Sequence, residues 1–180
     1  MKKKNGSKMT TAVLSVLFAA VLVAVDQWTK HLAVLHLKGN APLELISGVL
    51  ELRYLENRGA AFSILQDHQL FFYILTVVFL LAAVCVICRI PRNRYFLPVR
   101  ICLIVLASGA VGNLIDRVVQ KYVVDFIYFS IIDFPVFNVA DIYVTLSVIA
   151  LILLVLFRYK EKDFAFLGKK PAEVPEKEQQ

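Results

Sequence analysis

Apolar residues gather into four long runs along this chain, residues 9–25, 70–88, 101–115 and 134–157, and the last is interrupted by charge only at Asp141. Each approaches the roughly 20 residues a helix needs to cross a bilayer core. The first and third stop short unless they continue past Asp26 and up to Asp116, which carries both carboxylates to the membrane edge. Four transmembrane helices are therefore predicted, over about 9–30, 69–89, 98–116 and 135–158. Between the first two, the pattern in "PLELISGVLELRYLEN" changes to strand-like alternation on either side of Ser47 and Gly48, a turn with glycine available for positive φ, so a small hairpin is expected in the link 31–68. The segment "RVVQKYVVDFIYFSII" is β-branched and aromatic, and is expected to lie extended across the outer face. The fold class is thus an all-α polytopic membrane protein, four transmembrane helices with a small extracytoplasmic β-hairpin or sheet element, forming a single integral membrane domain over 1–180. The tail 159–180, ending in "GKKPAEVPEKEQQ", is expected to be disordered.

Composition agrees with that setting: 59% of the 180 residues are hydrophobic and 19% charged, beyond the apolar share of an ordinary soluble domain. The distribution of Lys and Arg predicts the orientation. Four lysines precede the first run, four arginines crowd the link between the second and third, and six basic residues follow the fourth. Both termini are expected in the cytoplasm, with the links 26–69 and 116–137 outside. The net charge of +6 belongs to this topology, and no basic stripe with interleaved aromatics points to nucleic acid. The basic start followed by an apolar run looks like a secretory signal, but "VLVAVDQ" lacks a small-x-small cleavage pattern and three further spans follow. Cys85, Cys88 and Cys102 all fall inside spans, where the spacing of the first two carries no redox or zinc signal.

The polar residues within these runs carry the chemistry. In "ASGAVGNLIDR", Gly109, Asn113 and Asp116 fall at i, i+4 and i+7, with Arg117 beside them and Gly112 flattening the adjacent face for a close helix neighbour. In the fourth helix Pro135 suits the first turn, so Asn138 and Asp141 share a face and Asp141 lies about 9 Å from the helix start. Asn57 and Gly59, in "ENRGAAFSIL", offer an amide and room for a backbone approach, or an ordinary turn before helix two. Ionisable residues inside a membrane usually mark function. Asp26 has Lys30 at i+4, Asp116 has Arg117 next to it, and Asp133 suits a cap or turn before Phe134 and Pro135. Asp125 and Asp141 have no evident partner. Two carboxylates in a dry site cannot both ionise, which leaves one as base and one as proton donor, a route to hydrolysis. No His-Glu-x-x-His, Gly-x-Ser-x-Gly or phosphate loop is present, and His31, His36 and His68 do not have the spacing of a zinc pair. The alternative is a small proton-coupled transporter or channel subunit using membrane aspartates as a relay, although the acidic residues cluster on one side and no internal repeat is found.

The motifs "DQWTK" at 26–30, "ENRGAAFSI" at 56–64, "GNLIDR" at 112–117, "VVDF" at 123–126 and "FNVAD" at 137–141, in this order, resemble the bacterial lipoprotein signal peptidases, also called signal peptidase II. The resemblance runs from about Val13 to Phe157. It implies an aspartic endopeptidase of the bacterial cytoplasmic membrane that cuts diacylglyceryl-modified prolipoproteins just before the lipidated cysteine. By that resemblance the catalytic pair is Asp125 and Asp141, with Asp116 the competing candidate. Asn57, Gly59, Asn113, Asp116, Arg117, Asn138 and Asp26 are implied to hold the site and contact substrate. The implied partners are the lipid-modified prolipoprotein and membrane phospholipid, with no nucleic acid. No metal and no organic cofactor is implied. The expected location is the inner membrane, multi-pass, with the active site near the outer leaflet. The bulky "IY" after Asp141 departs from what many relatives are expected to carry.

Overall fold

The computed structural model describes residues 3–59 and 69–168. Its elements are α1 (Lys3–Leu37), β1 (Leu43–Ile46), β2 (Leu50–Asn57), α2 (Gln69–Arg89), α3 (Leu97–Gln120), β3 (Val123–Tyr128) and α4 (Val139–Phe157). Single 3-10 segments at Ser130–Ile132 and Glu161–Leu167 precede and follow α4. Three helices, Met9–Leu37, Leu97–Gln120 and Val139–Phe157, are long and apolar enough to cross a membrane, and α2 contains a shorter apolar stretch over Tyr73–Arg89. Cys85 and Cys88 are exposed on α2 and Cys102 is partly so on α3, none of them in a disulfide.

Helix α1 runs seven residues beyond the predicted end at 30, because its last two turns have a partner to bury against. Ala33 and Leu37 pack on Val124 and Phe126 of β3. The helix stops where Gly39 adopts φ +78°, a left-handed residue of the kind that closes helices without a Cβ penalty. Asn40 then returns its side-chain amide to the His36 carbonyl at 2.9 Å.

The predicted hairpin is β1 and β2, antiparallel, turned by Gly48 at φ +68° and a Val49 N–H to Ile46 carbonyl bond of 2.9 Å. The segment expected to lie extended across the outer face instead joins this hairpin as a third antiparallel strand, in the order β1-β2-β3. Asn57 pairs with Val123 and Leu55 with Asp125. Residues two apart on a strand share a face, so Asn57 and Asp125 are diagonal neighbours on one side of the sheet. Val124 and Phe126 point to the other side, toward α1.

Helix α4 begins later than predicted. Pro135 lies before it, and Asn138 is its N-cap, in extended conformation. The cause is upstream: Phe137 spends its backbone on an isolated bridge to Ile127, donating to the Ile127 carbonyl at 2.9 Å and accepting from the Phe126 and Ile127 N–H groups. A residue so committed cannot open a helix. Asp141 therefore sits at N3, less deep than the predicted 9 Å. Asp133 is a turn residue at φ 47°, accepting from the Tyr128 hydroxyl.

The expectation of a disordered tail from 159 is also corrected. Tyr159 and Phe96 stack at 5.4 Å, and Phe164 and Phe166 close around them with Ile90 and Val99, which orders Glu161–Leu167. The rest of that expectation, residues 169–180, lies outside the described residues, as do Ala60, Ala61 and His68.

The close approach of the helices rests on two glycines of α3. A Cβ on Gly109 would stand 2.5 Å from the Ala140 carbonyl oxygen, and one on Gly112 would stand 2.4 Å from Asp26 Oδ2. Neither neighbour is a flexible side-chain end with room to retreat, since Asp26 is fully buried. Overpacking of this kind costs about 1–3 kcal/mol. Gly112→Ala is expected to lower the thermal midpoint of the purified protein in detergent, whereas Gly39→Ala, with nothing within 4 Å, is expected to report only the strain of its positive φ. Equal midpoints for Gly112→Ala and wild type would show that α1 and α3 are not held as described.

Candidate active site

Asp125 reaches the bundle from strand β3, and Asp141 from the first turn of α4. Asp125 is buried and Asp141 half-buried, and each carboxylate is supplied with amide donors. Asn57 Nδ2 donates to Asp125 Oδ2 at 2.8 Å, and Asn138 Nδ2 donates to Asp125 Oδ1 at 2.6 Å. Asn113 Nδ2 donates to Asp141 Oδ1 at 2.8 Å, and the Asn138 backbone N–H donates to Asp141 Oδ2 at 3.1 Å. Asn138 Oδ1 accepts the Asp141 N–H at 3.0 Å, completing a reciprocal capping box. One asparagine thus contacts both aspartates, with its backbone on one and its side chain on the other. It also donates to Asn113 Oδ1 at 3.1 Å, so Asn57, Asn113, Asn138, Asp125 and Asp141 form one network.

A cavity of about 480 Å³ opens on this network. Asn57, Gly59, Arg117, Asp125 and Asp141 contribute its polar lining, and Phe134, Pro135, Val136, Phe137, Ile142, Thr145 and Leu146 the remainder. Gly59 N–H is held by Asn57 Oδ1 at 3.0 Å, which fixes the turn leaving β2. Arg117 is anchored from α3 through its own Asn113 carbonyl at 3.4 Å. The Asp125 carboxyl is pushed up to about 7, first by burial and then by the charge of Asp141, against the opposing pull of its two amide donors. Such a pair can hold one proton as a unit near neutral pH. Among the described residues, no group of three His, Cys, Asp or Glu side chains is placed to hold a metal ion.

Asp26 and Asp116 stand behind the pair, in a separate charged cluster. Lys30 Nζ lies 2.9 Å from Asp26 Oδ2 and 3.0 Å from Asp116 Oδ2. The expectation that Arg117 neutralises Asp116 is corrected as to the main partner: Lys30 arrives from α1 to form the ion pair, while Arg117 lines the cavity and interacts with Asp116 through its charge. Gln27 Nε2 adds bonds to Asp116 Oδ1 and the Gly112 carbonyl at 2.9 and 3.1 Å. Both carboxylates also hold backbone: Asp26 accepts the Ala140 N–H at 2.9 Å on Oδ1, the oxygen away from Lys30, and Asp116 accepts the Val124 N–H at 3.2 Å on Oδ2, the same oxygen that meets Lys30. Lys30 finally donates to Asn113 Oδ1 at 2.9 Å, the point where the cluster meets the pair. Lys30 and Gln27 were not singled out as site residues in the sequence. The i, i+4 spacing in "DQWTK" was the available signal, and it could reveal only the Asp26 half of the arrangement.

Helices apolar enough to cross a membrane, with two neighbouring carboxylates at the wall of a mostly apolar cavity, define the class as a membrane protein with ionisable groups gathered at one site. The comparisons narrow that class. The family model for signal peptidase (SPase) II matches residues 18–157. A lipoprotein signal peptidase of Streptococcus thermophilus (strain CNRZ 1066) is 46% identical over 142 residues, 79% of this chain and 90% of the relative. One from Streptococcus pyogenes serotype M5 (strain Manfredo) is 42% identical over 151 residues, covering 84% and 96%. A solved structure described as a bacterial membrane enzyme, determined by the in meso method at 2.3 Å, superposes with a TM-score of 0.69 at 34% identity, covering 89% of this chain and 94% of that one. A second, at 1.9 Å, gives 0.67 at 35% identity, covering 81% and 94%. The chain belongs to the signal peptidase II family, and it is a peptidase, hence a hydrolase, whose substrates are lipoprotein precursors.

The buried lysine makes a stability prediction. Removing one partner of a buried ion pair leaves uncompensated charge and costs about 3–5 kcal/mol. Lys30→Met is expected to destabilise the protein by that order, and the triple change with Asp26→Asn and Asp116→Asn to recover part of the loss, measured by thermal or denaturant unfolding in detergent. A single variant as stable as wild type would contradict the cluster.

Proposed function

We propose that the chain is an aspartic endopeptidase that cleaves the signal peptide from diacylglyceryl-modified prolipoproteins, on the N-terminal side of the lipidated cysteine, with Asp125 and Asp141 as the catalytic pair. The observation that carries this reading is Asn138, which bonds both carboxylates at the wall of one apolar cavity. In this reading the chain crosses the bacterial inner membrane four times, α2 included, with both termini in the cytoplasm, and the sheet and the aspartates lie at the outer leaflet. The charge distribution of the links supports that orientation. Substrate enters laterally, its acyl chains remaining in hydrocarbon against Ile142 and Leu146 while the peptide unwinds. The freed backbone groups need partners there, and Asn57, Gly59 and Arg117 face them.

One carboxylate of the pair takes a proton from water as the oxygen bonds to the scissile carbonyl carbon. The protonated partner gives its proton to the carbonyl oxygen, forming a neutral tetrahedral diol. Collapse breaks the C–N bond, with one proton moving to the leaving nitrogen and one returning to the pair, so the site ends with the single proton it began with. Asn57, Asn113 and Asn138 hold the carboxylates in register, and Asp26 and Asp116 support them through Lys30. The relay alternative is less well supported, because the runs 9–25, 70–88, 101–115 and 142–157 hold no charged residue to continue a path.

Positioned acid–base groups contribute about 10²–10⁴ in rate. Asp125→Asn and Asp141→Asn are each expected to lose at least about a hundredfold in cleavage of a diacylglyceryl prolipoprotein while still inserting and folding. Asp116→Asn is expected to lose less, and a non-lipidated precursor to be left uncut. Substantial activity in either of the first two variants would remove that residue from the pair.

The raised Asp125 carboxyl gives the pH dependence its sign. Below about 7 the pair retains its proton; above, the proton leaves and no acid remains to polarise the carbonyl. The kcat/KM of the wild type is expected to fall as pH rises through about 7. A profile still rising well into the alkaline range would refute the shared-proton pair.

A further inference from the structure

A second cavity, of about 290 Å³, opens between α1, α2 and α3 at the other end of the bundle. Its α3 lining, Arg100 to Ala107, lies roughly 14–24 Å along that helix from Asp116, from the 1.5 Å rise per residue. Ala12, Ser15, Val84 and Ile104 line it, together with Arg92 and Arg100, and no carboxylate is among its lining residues. Arg100 is only 6% exposed. Burying a guanidinium is costly unless an anion or a full set of acceptors meets it. Its hydrogen-bond acceptors among the described residues are two carbonyls, Ile90 at 3.3 Å and Pro91 at 3.1 Å, both served by Nη2. A guanidinium has five N–H donors. The Nε and Nη1 donors have no protein acceptor among the described residues and are not sealed within the protein, so they are open to a ligand beside the charge of Arg92. Two cationic side chains with open donors and no carboxylate in the lining make the cavity suited to an anion.

We propose that this cavity binds one anionic phospholipid, its phosphate on Arg92 and Arg100 and an acyl chain along the groove between α1 and α2. The phosphate supplies the acceptors the two arginines lack, in the bidentate manner that suits guanidinium. The walls select the lipid over a free ion. Most of the lining is apolar, and two of the lining residues, Val16 and Val84, are 68% and 54% exposed on the outer surface of their apolar helices. A net negative headgroup is preferred because a zwitterionic one brings its own cation next to the arginine pair. The site is separate from the carboxylate pair, and its test requires no peptidase activity.

The full chain, purified and stripped of lipid in detergent, would be mixed with phosphatidylglycerol, phosphatidylcholine or inorganic phosphate. Retained lipid would be read by native mass spectrometry and the thermal midpoint recorded in each mixture. A basic residue near an anionic lipid is worth about fivefold in occupancy. Phosphatidylglycerol is therefore expected to be retained at least about fivefold over phosphatidylcholine and to raise the midpoint, with Arg92→Gln and Arg100→Gln each abolishing the preference. Arg94→Gln, in the same link but outside the cavity lining, is expected to keep it. If Arg100→Gln does not fold, Arg92→Gln, whose side chain is exposed, carries the test alone. Equal retention of the two lipids, or an equal loss in Arg94→Gln, would reduce the effect to general surface charge and overturn the site. Full stabilisation by inorganic phosphate alone would replace the lipid with a free anion and overturn it as well.

Discussion

Lys30, buried between Asp26 and Asp116, is the interaction on which the rest of the molecule depends. A charge at that depth is tolerated only with its partners in place, and those partners come from separate elements. Asp26 and Gln27 belong to α1, Asp116 and the Gly112 carbonyl to α3. The same two carboxylates also accept the Ala140 N–H of α4 and the Val124 N–H of β3. Two helices, a third helix start and a strand are thereby fixed to one ammonium. The glycine at 112 is part of the same constraint, because any Cβ there would occupy the position of Asp26.

Among the described residues, the side chain that bridges this cluster to the Asp125–Asp141 pair by hydrogen bonds is an asparagine. Asn113 faces Lys30 with its oxygen and Asp141 with its nitrogen, so it transmits orientation without bringing charge to the pair. That distinction has chemical weight. A lysine bonded directly to Asp125 or Asp141 would hold both ionised and leave no proton to share. Neutral amides satisfy the same lone pairs while permitting burial and the mutual repulsion to keep Asp125 protonated up to about 7.

The apolar runs, the hairpin turn at Gly48 and the candidate residues themselves could be read from the sequence, because each leaves a local signature: length, alternation, or a charge where none is cheap. What escaped reading was non-local. Strand β3 carries no sign that it pairs with β2 rather than lying alone, since pairing is decided by the partner. The i, i+4 rule found Lys30 for Asp26, but nothing near Asp116 announces that the same lysine serves it, and adjacency suggested Arg117 instead. Pro135 is a fair helix opener by preference, yet the bridge between Phe137 and Ile127 overrides it. The aromatic pairs around Phe96 likewise order a tail whose composition alone reads as solvated.

The late start of α4 explains how folding and chemistry come to share the same atoms. The first N–H groups of any helix lack intrahelical acceptors and must find others. In α4 they are met by Asp26, at Ala140, and by Asn138, at Asp141. Asn138 is therefore a cap by its oxygen and a donor to Asp125 by its nitrogen, while the Asp141 carboxylate closes the capping box with one oxygen and takes Asn113 with the other. A helix beginning at Pro135 would have moved Asp141 just over a full turn deeper and left Asn138 inside the helix, its side chain no longer between the two carboxylates. The backbone bridge at Phe137 is thus what sets the register of the site, placing a helix end, which is polar by necessity, where the pair needs neutral donors.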